Sequence, residues 1–298
     1  MKHRLLAVAA AVLAAGSVFA SARTAGLEYR YFDSAGVQIA YAEKGQGEPV
    51  ILLHGGLADS EFNWVQFGVM DALAQNHRAI AMDLRGHGKS GKPHDPKAYG
   101  RLMALDAVRL MDHLKVPKAH FLGYSLGSLV LLTLVSDHPD RVLSAAFGGP
   151  GWIRPGEDLS VYGETAGSLE KGLGLGPLLK GYSDSEGKPL PEKELAELNA
   201  FFAGRNDLLA VAAVFRSMAD FSVLEERLRS ARVPCLYIFG TKDDNRKIIP
   251  DLRNAMAEYA EFADIEGASH GDAITYPGFL KAVLRFFPDH AAVPGGRA

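Results

Sequence analysis

Gly123-Tyr124-Ser125-Leu126-Gly127 stands between the apolar run Ala119-His120-Phe121-Leu122 and a segment, 126–135, whose apolar residues recur at spacings of three and four. A short apolar run without alternation reads as a strand buried on both faces, and the three-and-four spacing reads as a helix. The pentapeptide is then a sharp strand-to-helix turn. Such a turn forces its central serine into a strained backbone and presents the hydroxyl at the C-terminal edge of a sheet. Glycines two residues to either side are needed because a side chain there would strike the adjoining strand or helix.

Working outward, Val50-Ile51-Leu52-Leu53, Ala79-Ile80-Ala81-Met82 and the runs at 143–147 and 235–239 have the same strand character. Helical spacing fills 62–74 and 102–114 between them. Strands alternating with helices predict a three-layer α/β fold with a mostly parallel sheet, helices on both faces and right-handed crossovers. Two shorter strand-like runs, 27–32 and 37–42, precede it around a turn at Ser34-Ala35-Gly36. The rhythm lapses over 149–232, where helical patterns at 192–202, 208–218 and 224–229 follow one another without a strand. This predicts a core of 23–148 and 233–290, interrupted by a helical cap at 149–232 and followed by a loose tail at 291–298. A helix over 247–259, a strand near 262–265 and a last helix over 279–286 close the core.

The chain has 298 residues, 48% hydrophobic and 22% charged, with 32 Lys+Arg against 35 Asp+Glu. A chain with no basic excess is poorly suited to neutralising phosphates, so nucleic acid is not an expected partner. The first residues carry a separate signal. Met1-Lys2-His3-Arg4 is basic, 5–20 is uncharged and rich in alanine, and Ala20-Ser21-Ala22 is small-x-small. That is the form of a secretory signal peptide, 1–22, too short and too weakly apolar for a spanning helix. The expectation is a periplasmic or secreted protein, mildly acidic once Lys2 and Arg4 are removed, with no stable membrane span. Its single cysteine, Cys235, lies in the strand-like run and reads as a buried inert thiol.

A serine hydroxyl needs a base to take its proton, and the base needs an acid to fix its tautomer and stabilise its charge. Phe239-Gly240-Thr241-Lys242-Asp243 ends one late strand and Gly267-Ala268-Ser269-His270-Gly271 follows the next. The interval between Asp243 and His270 holds one helix and one strand, which returns the chain to the same sheet edge. Ser125, Asp243 and His270 are therefore the expected catalytic residues, with Asp244 the rival acid. A tetrahedral oxyanion also needs donors. The N–H of Leu126 is one; Leu53-His54-Gly55-Gly56-Leu57 follows an earlier strand and supplies the other, Gly56 ahead of Leu57 because glycine admits the substrate oxygen more closely.

With these residues in place, the chain resembles the α/β-hydrolase fold superfamily. The resemblance rests on His54-Gly55-Gly56, the segment Asp83-Leu84-Arg85-Gly86-His87-Gly88-Lys89-Ser90, the elbow at 123–127, Gly240-x-x-Asp243 and His270. It implies a serine hydrolase with a Ser-Asp-His triad under a helical cap, using no cofactor. The sequence has no His-Glu-x-x-His or paired-Cys spacing, so no metal site is expected. The motifs are shared by esterases, lipases, thioesterases, C–C bond hydrolases, cofactor-free haloperoxidases and aminopeptidases. The expectation is an exported enzyme cleaving a carboxylic ester or related acyl bond through an acyl-enzyme, with C–C bond hydrolysis or a cofactor-free haloperoxidase or perhydrolase reaction on the same triad as the alternative. Relatives resembling epoxide hydrolases carry Asp where this chain has Ser125, which disfavours that activity. A catalytically silent ligand-binding member is the alternative from outside enzymology.

Other chemistry-bearing residues have plainer readings. His54 holds its loop, His120 sits inside a strand, and His138 precedes Pro139 at a helix end. The glycine-rich 172–176 reads as a cap hinge rather than a phosphate loop, because no Gly-Lys-Ser/Thr follows it. Trp64 beside the oxyanion loop, Tyr124 in the elbow and Trp152 at the start of the cap are candidates to line a pocket for a small or medium hydrophobic acyl substrate.

Overall fold

The structure, a computed structural model, describes residues 27–180, 191–256 and 258–291. The expected signal segment 1–22 and all but the first residue of the expected tail 291–298 lie outside them. The strands are β1 (Arg30–Ser34), β2 (Val37–Lys44), β3 (Glu48–Leu53), β4 (His77–Met82), β5 (Ala119–Tyr124), β6 (Val142–Gly148), β7 (Cys235–Gly240) and β8 (Ala260–Ile265). They form one sheet in the order β1-β2-β4-β3-β5-β6-β7-β8. β1 and β2 form a hairpin, β2 joins β4 antiparallel, and every later pairing is parallel.

Alternation along each strand divides the core in two. Ile51, Leu53, Ile80, Met82 and Phe121 face one side, where they meet Met103 and Leu110 of α2 (Arg101–Leu114) and Val130 and Leu134 of α3 (Leu126–Asp137). Val50, Leu52, Ala79, Ala81 and Leu122 face the other side, against Val69 and Leu73 of α1 (Val69–Leu73) and Phe279, Val283 and Phe286 of α10 (Pro277–Asp289). Burial on both faces is why these strands read as unbroken apolar runs.

The helix expected over 62–74 is broken. A π-helical turn at Glu61–Val65 ends, Gly68 takes φ +70°, and α1 starts afresh at Val69. Apolar positions keep their spacing across the break, so periodicity alone cannot register it.

Between β6 and β7 the chain forms α4 (Ser160–Glu170), α5 (Gly176–Leu179), α6 (Glu192–Ala203), α7 (Leu208–Arg216) and α8 (Glu225–Ala231); α9 (Ile249–Met256) follows β7. α4 packs on α7, and Asp207 caps α7 by accepting from the N–H groups of Leu209 and Ala210. α8 packs instead on α3 and α9, with Leu228 and Leu252 in the core cluster. The inserted segment thus rejoins the core one helix before residue 233. Gly172 and Gly174 connect α4 to α5 inside the cap, and Gly176 opens α5. The base of the cap is tied by two hydrogen bonds: the indole N–H of Trp152 donates to the Val223 carbonyl at 2.9 Å, and the Val223 N–H donates to the Ile153 carbonyl at 3.0 Å. Among the described residues no single helix is long and apolar enough to cross a membrane.

Candidate active site

β5 ends at Tyr124 and α3 begins at Leu126, so Ser125 makes the whole turn, with φ +51° and ψ −111°. The two glycines are forced by close approach. A Cβ on Gly127 would lie 1.9 Å from the Leu53 carbonyl oxygen, and one on Gly123 would lie 2.5 Å from that of Gly127. The turn aims the serine hydroxyl at His270, whose Nε2 is 2.9 Å from Ser125 Oγ.

The other imidazole nitrogen, Nδ1, lies 3.0 Å from Asp243 Oδ2. A carboxylate only accepts, so Nδ1 carries the proton and Nε2 is left to accept from the serine hydroxyl. Asp243 is buried and also caps the short helical turn Asp244–Ile248, its Oδ1 accepting from the Asn245 N–H at 2.9 Å. Asp244, the rival, is exposed and makes no such contact with the imidazole. Burial lowers the affinity of His270 for a proton, but the hydrogen bond and charge of Asp243, with the charge of Asp244, outweigh it and hold the imidazole above its ordinary value. The loop is fixed from two sides: Ser269 donates through its N–H and hydroxyl to Asp272 Oδ1, and Tyr124 donates to the His270 carbonyl at 2.8 Å.

The N–H of Leu126 opens α3 and that of Gly56 or Leu57 leaves the loop after β3; none of the three meets a protein acceptor among the described residues. A helix N-terminus adds partial positive charge at the first of these. Asn63 accepts from the Gly55 N–H at 2.7 Å and holds the loop. His54 does what its position suggested: Nε2 accepts from the Leu84 N–H at 3.0 Å, which leaves Nδ1 to donate to the Gly55 carbonyl at 2.7 Å. The 83–90 segment is a brace beside it, Asp83 accepting from the N–H groups of Ser60 and Lys89.

The α/β-hydrolase fold model matches residues 48–164, from β3 into the cap, and so contains the elbow and the loop after β3. The chain has the α/β-hydrolase fold. Residues of this chain are 38% identical over 130 positions to the dihydrolipoyllysine-residue acetyltransferase component of an acetoin cleaving system in Cupriavidus necator; the match covers 42% of this chain, which spans only 33% of that relative. A protein provisionally named carbamate hydrolase RutD in Caulobacter sp. (strain K31) is 28% identical over 263 residues, 81% of this chain and 91% of the relative. Among solved structures, Est816, described as an N-acyl homoserine lactone degrading enzyme, superposes with a TM-score of 0.67 at 27% identity, covering 87% of this chain and 100% of Est816.

The three aromatics expected to line a pocket do other work. Trp64 is fully buried with Val69, Met70 and Leu73, because the π-helical turn rotates it into the core beneath the sheet. Tyr124 packs edge-on against Phe279 and braces the His270 loop. Trp152 clamps the base of the cap through Val223, with the Arg154 guanidinium 4.8 Å from its ring centre. His120 is held at both nitrogens by Ser144 and Glu48, and His138 closes the end of α3. Cys235 is fully buried in β7, where burial pushes its thiol up to about 12. Asn63 and Asp272 are site-supporting residues that sequence reading missed; a lone Asn or Asp in a loop carries no signal of the backbone it will hold.

Proposed function

We propose that this hydrolase cleaves a carboxylic ester or related acyl bond through an acyl-enzyme on Ser125. The observation that carries the reading is the continuous chain from Ser125 Oγ through His270 to Asp243, at 2.9 Å and 3.0 Å. His270 takes the serine proton as Oγ bonds to the acyl carbon, and the N–H of Leu126 with that of Gly56 or Leu57 receives the oxyanion. The same imidazole returns the proton to the leaving alcohol. Water, deprotonated by His270, then releases the acid and restores the serine. The chemistry requires no cofactor. The names of the two full-length relatives, a carbamate hydrolase and an acyl-lactone degrading enzyme, support attack on an acyl carbon.

The substrate is a small or medium hydrophobic acyl compound, a reading supported by the apolar cap. The basic start, uncharged run and small-x-small site of 1–22 support an exported enzyme.

The deciding experiment treats the purified protein with a fluorophosphonate and maps the adduct by mass spectrometry, alongside p-nitrophenyl esters of graded acyl length. Labelling at Ser125 with ester turnover is expected. Absence of both would leave a silent ligand-binding fold as the better account.

A further inference from the structure

Among the described residues, the cap's buried hydrophobic cluster contains one residue from outside the cap. Ala166 and Leu169 of α4, Leu175, Leu179 of α5, Leu198 of α6, and Val211 and Ala212 of α7 pack around Leu57, which belongs to the oxyanion loop after β3. Leu57 also has φ +63°, a conformation that side chains with a Cβ disfavour and that neighbours must therefore enforce. Two enforcers are visible. The leucine side chain is seated in the cap, and its carbonyl accepts from Asn206 Nδ2 at 3.1 Å. Asn206 is itself fixed, because the same nitrogen donates to the Phe202 carbonyl at 2.9 Å at the end of α6. The corner between α6 and α7 that carries it is pinned on both sides. Arg205 pairs with Asp59 at 3.2 Å and lies 5.2 Å from the Phe62 ring centre; Asp207 pairs with His94 at 3.0 Å.

We propose that the cap sets the geometry of the oxyanion hole, with Asn206 as a positioning residue acting through Leu57. The inference rests on the acyl-transfer reading of this site. Relaxing Leu57 to a negative φ rotates the peptide between Gly56 and Leu57, and so re-aims the N–H groups meant for the oxyanion. Donors aimed at developing charge act on the transition state more than on the bound substrate, so loosening them lowers kcat and leaves KM largely alone. The cap on this account is part of the catalytic frame.

The test uses Asn206→Asp, which keeps the side-chain shape without the donor, and Asn206→Ala as a second variant. Complete loss of one oxyanion donor costs about a hundredfold to a thousandfold, so a displaced donor should cost on the order of tenfold in kcat, with KM changed by less than about twofold. Hydrogen exchange supplies a readout that does not depend on activity: amides over 55–60 should exchange several-fold faster in both variants, while those opening α3 stay as in the wild type. Unchanged exchange over 55–60, or a KM increase at constant kcat, overturns the proposal. Fluorophosphonate labelling of wild-type Ser125 separates this from failure of the acyl reading, which that labelling tests by itself.

Discussion

Tyr124, the residue immediately before the nucleophile, donates its phenol proton to the backbone carbonyl of His270 at 2.8 Å. The end of β5 thereby holds the base as well as the serine, and one strand sets both ends of the Oγ–Nε2 hydrogen bond. Tyr124→Phe should remove about 1 kcal/mol of stability and reduce kcat several-fold while KM holds, read from thermal melts and steady-state kinetics. An increase in KM alone would return Tyr124 to the substrate pocket.

Ser125→Ala should leave a folded protein with the wild-type circular dichroism spectrum and melting profile. Its hydrolysis of p-nitrophenyl esters should fall on the order of a thousandfold or more. Turnover within a few-fold of wild type would remove Ser125 from the chemistry.

The acid limb of the rate profile should lie above the ordinary imidazole value. His270 acts as a base only when neutral, and although burial pulls its pKa down, Asp243 and Asp244 raise it on balance. Activity should therefore fall as pH drops through that raised value, and Asp244→Asn, which removes one raising charge, should shift the limb to lower pH. Stability runs the other way. A histidine whose folded pKa exceeds its unfolded value contributes stability fully present below about pH 6.5 and lost as pH rises through the folded value. A pH–rate profile and melts across the same range check both signs.

Gly127→Ala should be among the most damaging single-methyl changes in the molecule. The added carbon would sit 1.9 Å from a backbone oxygen of β3, which cannot yield without parting α3 from the sheet. A loss of about 3 kcal/mol or more is expected, seen as a lowered melting temperature or insoluble expression.

Trp152→Phe distinguishes a clamp from a pocket wall. It deletes the indole N–H that reaches the Val223 carbonyl, so it should cost about 1–2 kcal/mol in thermal or urea unfolding. Ester KM should change by less than about twofold. A large, acyl-length-dependent rise in KM would place the indole against substrate.

Much of this was legible because backbone constraints leave marks in sequence. The elbow glycines, the apolar runs of β3 to β7 and the loop ends carrying Asp243 and His270 are each dictated by close approach or burial on two faces, and each leaves few residue choices. Trp64 and Trp152 were misread for the opposite reason. An indole near an active-site motif can point either way, and its direction depended on a π-helical turn in one case and on a carbonyl 71 residues further along the chain in the other. Helices α4 and α5 were not foreseen at all, since α4 buries only Thr165, Ala166 and Leu169 and so shows little apolar rhythm. Asn206 carries no sequence signal, because its partner is a backbone carbonyl reached only through the fold.

The seating of Leu57 in the cap bears on how such proteins can be recombined. The inserted segment between β6 and β7 is continuous in sequence, which invites its exchange for the cap of another protein of this fold to change substrate range. Its interior is completed by a side chain encoded about a hundred residues upstream. A transplanted cap would arrive without the residue that fills it, and the host loop would keep a leucine with no socket. Position 57 belongs with the graft.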